Sequence, residues 1–310
     1  MNLAIIFTGQ TRTFYTDKIQ KSIQQLIKLS KENYTNIVIV TVINGEYDEN
    51  MLKNTFDILH IPLIIVDYKN YIQEYNNLVD SKINSEEYQK LKHDYFQKNT
   101  SATNEVYNID DNTRLCNIQP HQIKVGIDTL LEYEKENNIK YDVIMKTRFD
   151  MAYPDTFYPN IPKGSFLSKL TFNESLKDKF LIGLKENNLD IDTFIPFLKN
   201  QKLNPNNCRV NMDFLQISFG GHFCYNYKSL ENILNGVDEI LYSFNDFYFF
   251  GKRDVFLKFK RFSEEMYIKS TSMDIPHYYI TESQMCIFCD NNNIDYLMYY
   301  PWEEIYRPIR

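Results

Sequence analysis

The chain reads as an α/β protein with a Rossmann-like sheet, and three observations predict it. Short apolar strands alternate with amphipathic helices from Leu3 onward. The first strand runs through a tight TGQTR turn into a helix. The segment YDVIMKTRFDMAYPD, Tyr141 to Asp155, is apolar through Val143, Ile144 and Met145 and then presents Lys146, Arg148, Asp150 and Asp155. A buried parallel strand is a short apolar run, and open α/β sheets bind ligands beyond the carboxyl ends of their strands. Charges at such an end are either solvated surface or part of a site, and the rest of the chain has to decide between them.

Leu3 to Phe7 is the first strand. In KIQKSIQQLIKLSKEN, Ile19, Ile23, Leu26, Ile27 and Leu29 recur at helical spacing. Ile37 to Val42 is a second strand, MLKNTFDILH a second helix and Leu63 to Val66 a third strand, the alternation of a parallel sheet with crossover helices. Tyr71 to Arg114 is polar and reads as peripheral, with one helix over YQKLKHDYFQK. IKVGIDTLLEYEKENNIK places Ile123, Ile127, Leu130 and Leu131 on one apolar side and feeds the Tyr141 segment, which is expected to be central. Beyond Pro154 the apolar pieces shorten to GSFLSKLTF, FLQISFGGHFCYNY and DFYFFGKRDVFLKF, interrupted by LKNQKLNPNNCRVN, the pattern of a mixed sheet with an inserted lobe. TESQMCIFCDNNN reads as a helix ending in Asn-rich turn residues, followed by the strand IDYLMYY.

A chain of 310 residues with 43% hydrophobic content can bury a substantial core as one large domain or two small ones. The 34 basic and 41 acidic residues, net −7, exclude a general nucleic-acid binder, which needs a basic footprint. No apolar run reaches membrane-spanning length, and MNLAIIFTGQ lacks a basic leader and cleavage site, so a cytoplasmic location is expected. Five scattered cysteines predict reduced thiols rather than a disulfide framework. The 24 Tyr and 22 Phe are assigned mostly to core packing.

TGQTR lacks both GxGxxG and GxxxxGK, which leaves Arg12 as a guanidinium able to bind a diphosphate bidentately or to serve as a surface residue on a turn. CIFC, Cys286 to Cys289, lacks two further ligands and reads as a helix with buried thiols rather than half a zinc site. The five His follow neither HExxH nor a cluster, which favours packing roles, and GxSxG is absent.

The ordered set YDVIMKTRFD, NDFYFFG (Asn245 to Gly251) and TES, with Glu282 opening a helix, resembles glycosyltransferases of the GT-A fold. It is most similar to the small capsule- and lipopolysaccharide-type glycosyltransferase-like proteins of bacteria and large DNA viruses, which also begin with a strand and a GQxR turn. The resemblance implies a GT-A-like mixed sheet flanked by helices, a single large domain over 1–310. Residues 1–155 would form its nucleotide-binding half, and 156–310 its acceptor-side half with an inserted lobe. It implies sugar transfer from a nucleotide-sugar donor to a glycan or other hydroxyl acceptor, in the cytoplasm, or the host cytoplasm for a viral member.

Carried over residue by residue, Gly9, Gln10, Arg12, Arg148, Asp150 and Gly251 would bind the donor. Asp150 would hold Mn²⁺ or Mg²⁺, and Glu282 or Asp246 would be the base. Arg148 stands where the family's DxD has its first carboxylate, and no His follows Glu282, so Arg12 and Arg148 neutralising the diphosphate without metal is the alternative to a metal at Asp150. A degenerate glycan-binding or scaffold protein on the same fold is the non-enzymatic alternative.

Overall fold

A computed structural model describes residues 1–57, 59–98, 109–150, 221–224, 232, 240–244, 248–266 and 281–301. The first half alternates as its sequence predicts: β1 (Asn2–Gly9), α1 (Asp17–Asn33), β2 (Asn36–Ile43), α2 (Glu49–Asp57) and β3 (Leu63–Asp67). Then come α3 (Ile72–Ile83), α4 (Glu86–Lys98), α5 (Ile109–Asn137) and β4 (Val143–Arg148). The second half contributes β5 (Gly221–Cys224), β6 (Ile240–Phe244), β7 (Tyr248–Lys252), the short helices α6 (Arg253–Leu257) and α7 (Phe262–Glu265), then α8 (Thr281–Asn291) and β8 (Asp295–Pro301).

These strands form one mixed sheet of eight in the order β3-β2-β1-β4-β7-β6-β8-β5. β1 pairs in parallel with β2 and β4, and β2 with β3, whereas β7 is antiparallel to both β4 and β6. β4 is therefore interior, as expected of the Tyr141 segment. The two halves of the chain share this sheet through the β4–β7 ladder. The chain leaves β1 towards β2 and β3 and returns to β1's other side as β4, which makes the β1–β4 boundary the topological switch point where open α/β sheets form a crevice.

Alternation along the strands sorts the core. Ala4, Ile6, Val38, Val40, Val42 and Ile144 bury one face of the sheet with Ile123, Ile127 and Leu130 of α5. On the other face Phe7 meets Phe56 of α2 at 5.8 Å between ring centroids. Each such aliphatic or aromatic side chain contributes about 1.5–3 kcal/mol on burial. α5 lies so close to the sheet that a Cβ on Gly126 would fall 2.5 Å from Ile6 Cγ2 and 3.4 Å from Val42 Cγ2, which only glycine permits.

Two helix ends follow from asparagine. Asn138 (φ 49) and Asn293 (φ 48) take left-handed backbone after α5 and α8. The next amides then close the helices: Ile139 N–H donates to Glu134 O at 3.1 Å and Ile294 N–H to Cys289 O at 2.9 Å, a Schellman geometry that asparagine tolerates.

Two expectations need correction. The polar tract that starts at Tyr71 is not peripheral over its described helices α3 and α4: Tyr75, Val79, Ile83 and Tyr88 join the main core, because these helices carry sparse apolar residues at helical spacing within a polar background. α5 starts 14 residues before Ile123 and continues through Pro120, where tertiary packing outweighs the loss of one backbone donor. Within the apolar piece DFYFFGKRDVFLKF, β7 is followed directly by α6, with Lys252 as the junction. GSFLSKLTF, LKNQKLNPNNCRVN and the expected inserted lobe lie outside the described residues.

Candidate functional site

The carboxyl ends of β1 and β4 are built as a pair. Thr8 of β1 is in register with Arg148 of β4. Beyond Thr8, Gly9 takes φ 112, a conformation in which an L side chain is strained, and its carbonyl accepts from Asn44 N–H at 2.9 Å. Thr11 is buried, donates its hydroxyl to Glu46 O at 3.1 Å and accepts the Phe14 amide at 2.9 Å. The turn after β1 and the loop after β2 are thus tied together. Gln10 and Arg12 project from this turn as exposed residues.

Phe149, fully buried, packs against Phe7 at 5.4 Å and Phe14 at 5.4 Å. Anchored in this way, it leaves the residues on either side, Arg148 and Asp150, at the carboxyl end of β4. Arg148 donates from Nε to Asp150 Oδ1 at 2.8 Å and from Nη2 to Oδ2 at 2.6 Å, a bidentate pair of which each side chain is little more than a quarter exposed. Asp150 thus has both oxygens on a guanidinium, and among the described residues no three His, Cys, Asp or Glu are grouped to hold a metal ion. Lys146 is not at the strand end at all: it is fully buried, in register with Ile6, with Nζ 5.7 Å from the centre of the Phe249 ring.

α5 runs antiparallel to β1 and β4. Its carboxyl-terminal part meets the amino end of β4, where Glu134 accepts the Tyr141 amide at 2.9 Å and an Arg253 Nη2 bond at 2.6 Å. Further back along α5, His121 Nδ1 lies 2.8 Å from the Tyr68 hydroxyl, just past the carboxyl end of β3. Burial holds the His121 imidazole below its ordinary pKa and raises that of the Tyr68 phenol. His121 Nε2 also lies 3.5 Å from Glu74, itself bonded by Lys124 at 2.7 Å. This is the packing role expected of a histidine, extended into a polar network.

Gln122, one turn before Gly126, shares its helix face, and a turn of about 5.4 Å carries that face from the level of Ile6 towards Thr8. Thr8 and Gln122 are buried, and Thr8 Oγ1 and Gln122 Nε2 have no hydrogen-bond partner among the described residues. Neither was singled out from the sequence, because a threonine in an apolar strand and a glutamine in a helix carry no pattern.

The other candidate residues are less closely placed. Gly251 is buried in β7 opposite Ile144, four residues along β4 from Arg148 and so about 13 Å from its level. It is not brought to the switch point. Asp246 and Asp155 lie outside the described residues, although Phe244 and Tyr248, which flank 245–247, pair at the end of the sheet where Arg148 lies. Glu282 is the second residue of α8, whose carboxyl end turns tightly into β8. Because β8 is parallel to β6, and β6 to β4 through the two antiparallel β7 ladders, the start of α8 falls on the carboxyl-end side of the sheet. Its strand is three positions from β4.

Among the described residues, Cys116 and Cys289 form no disulfide, the latter being buried, and no helix is long and apolar enough to cross a membrane. No protein-family model, curated protein or solved structure matches the chain.

Proposed function

We propose that the chain is a glycosyltransferase of the GT-A type, which moves a sugar from a nucleotide-sugar donor to the hydroxyl of a glycan or other acceptor. The observation that carries this reading is Arg148 at the carboxyl end of β4, at the switch point beside the turn that bears Gln10 and Arg12. That is where an α/β sheet collects its ligand, and a guanidinium is the group suited to an oxyanion there.

In this reading Gly9, Gln10, Arg12 and Arg148 face the donor. The acceptor oxygen attacks the anomeric carbon as the bond from that carbon to the diphosphate oxygen breaks. The acceptor proton passes to the carboxylate of Glu282 or Asp246, and the negative charge released on the diphosphate is met by Arg148 and Arg12.

The test is a panel of nucleotide sugars, first screened by thermal shift and then followed for release of nucleoside diphosphate in the absence of acceptor. Slow release from one donor is expected. Glycan binding with no release from any donor would replace this reading with the non-catalytic one.

A further inference from the structure

We propose that Tyr68, His121 and Glu74 form an acid-sensitive latch, which fastens the start of α3 to α5 while the imidazole is neutral and loosens it when the imidazole takes a proton. The latch is independent of what the switch point binds.

Tyr68 opens the 3-10 turn Tyr68–Tyr71 that joins β3 to α3, and both Tyr68 and His121 are fully buried. The Tyr68 hydroxyl lies 2.8 Å from His121 Nδ1 and has no other partner among the described residues. A buried hydroxyl proton needs an acceptor, so the phenol donates and Nδ1 accepts, which puts the N–H of the neutral ring on Nε2. Nε2 is sealed from solvent and faces Glu74 Oε1 at 3.5 Å, longer than a good hydrogen bond.

The groups around the ring decide what a second ring proton does. From α3, Tyr75 packs its ring 5.6 Å from that of His121 and gives its own hydroxyl to the Arg114 carbonyl. Glu74, half exposed, is already bonded by Lys124 of α5 at 2.7 Å; Lys124 lies 3.6 Å from Asp128, which also pairs with Lys260. Protonation turns Nδ1 from acceptor into donor. The Tyr68 hydroxyl proton then loses its acceptor, and a charge enters a site sealed from water. The compensation is a carboxylate half in solvent and shared with an ammonium group. A stranded buried hydroxyl and a buried charge together outweigh a screened ion pair. Burial accordingly holds the imidazole below its ordinary pKa, against the pull of Glu74.

A basic group whose pKa is lower in the folded state contributes stability above its unfolded value, about 6.5 for histidine, and that stability is lost as the pH falls below it. The loss falls where α3 begins, at the contact Tyr68 makes, because the far end of α3 keeps Asp80 on Arg114 and Lys82 on Asn117. Tyr68 directly follows β3, so the loosened segment borders the carboxyl-end side of the sheet.

The full chain is tested in two ways. Nitrogen-15 magnetic resonance of histidine-labelled protein, with the His121 signals identified by their loss in His121→Leu, should show Nδ1 without a proton at neutral pH and a midpoint below about 6.5. Glu74→Gln, a change at the surface, should move that midpoint lower still. Hydrogen exchange, corrected for its intrinsic pH dependence, should show protection of Tyr68 to Ile83 falling several-fold from about pH 7.5 to about 5.5. Tyr68→Phe with His121→Leu replaces both partners by apolar groups and should hold its protection over the same range. The difference between the two proteins cancels the titration of Lys82, which both retain.

Nδ1 protonated at neutral pH, a midpoint at or above the ordinary value, or a midpoint unmoved by Glu74→Gln would each overturn the proposal. So would protection that stays level on acidification or falls equally in the double variant. Should the double variant fail to fold, the resonance titration and Glu74→Gln decide the matter alone.

Discussion

The ring of Phe149 meets that of Phe14 edge-on, at 5.4 Å and 84°, and so joins the turn after β4 to the turn after β1. The two loops that flank the switch point are therefore not independent. Phe149→Ala should lower stability by about 3–5 kcal/mol, the usual cost of emptying an aromatic site, measured by urea denaturation. The same variant should weaken anion binding, because Arg148 and Asp150 lose the anchor between them. Phe149→Leu, which keeps much of the volume, should retain most of both properties.

Gly126 sets how closely α5 approaches β1. Gly126→Ala places a methyl 2.5 Å from Ile6 Cγ2 and should destabilise the fold by about 1–3 kcal/mol, despite alanine's better helix propensity. Trimming the neighbour with Ile6→Ala removes Cγ2, so the double variant should lose less than the sum of the two single losses. A double-mutant cycle read by thermal denaturation gives that coupling, and strict additivity would show that the clash is absorbed elsewhere.

Lys82 of α3 is buried, bonded at 3.2 Å to Asn117 of α5 and also to the Ser263 carbonyl of α7. Burial pushes its amine down to about 7, only partly opposed by the charge of Glu264. The unfolded amine keeps its proton up to about 10.4. Between those values the unfolded chain binds the extra proton, so stability should rise with pH from about 7 towards 10, while the full penalty remains below 7. Lys82→Met should flatten this slope and gain stability at pH 6. Parallel slopes for the two proteins across that window would contradict the assignment.

Glu282→Gln keeps size and hydrogen bonding but removes the carboxylate. If Glu282 is the base, transfer should fall at least a hundredfold with donor affinity unchanged, because general-base catalysis contributes roughly 10²–10⁴ and acts in the transition state. Unchanged turnover would pass the role to Asp246. The competing structural role, a carboxylate favoured in the first turn of α8 by the helix dipole, predicts a lower thermal midpoint and no effect on rate.

The succession of elements in the first half, the helix opened by TES and the Asn-rich close of that helix were legible in the sequence because they depend on local periodicity and backbone preference. So was the placement of charge after a buried strand. The partners of those charges were not. Lys146 and Arg148 read alike as basic residues in one segment, yet one is fully buried over the Phe249 ring and the other grips Asp150 at the carboxyl end of β4, since exposure depends on what packs over each position of the strand. Gly251 matched a motif position but pairs with Ile144, because the antiparallel insertion of β7 beside β4 sets a register that no local pattern encodes. The sequence by itself determined which segments are strands and helices and which faces are apolar; strand order, register and the crossing of α5 are fixed by long-range packing, and they decided which polar groups share the switch point.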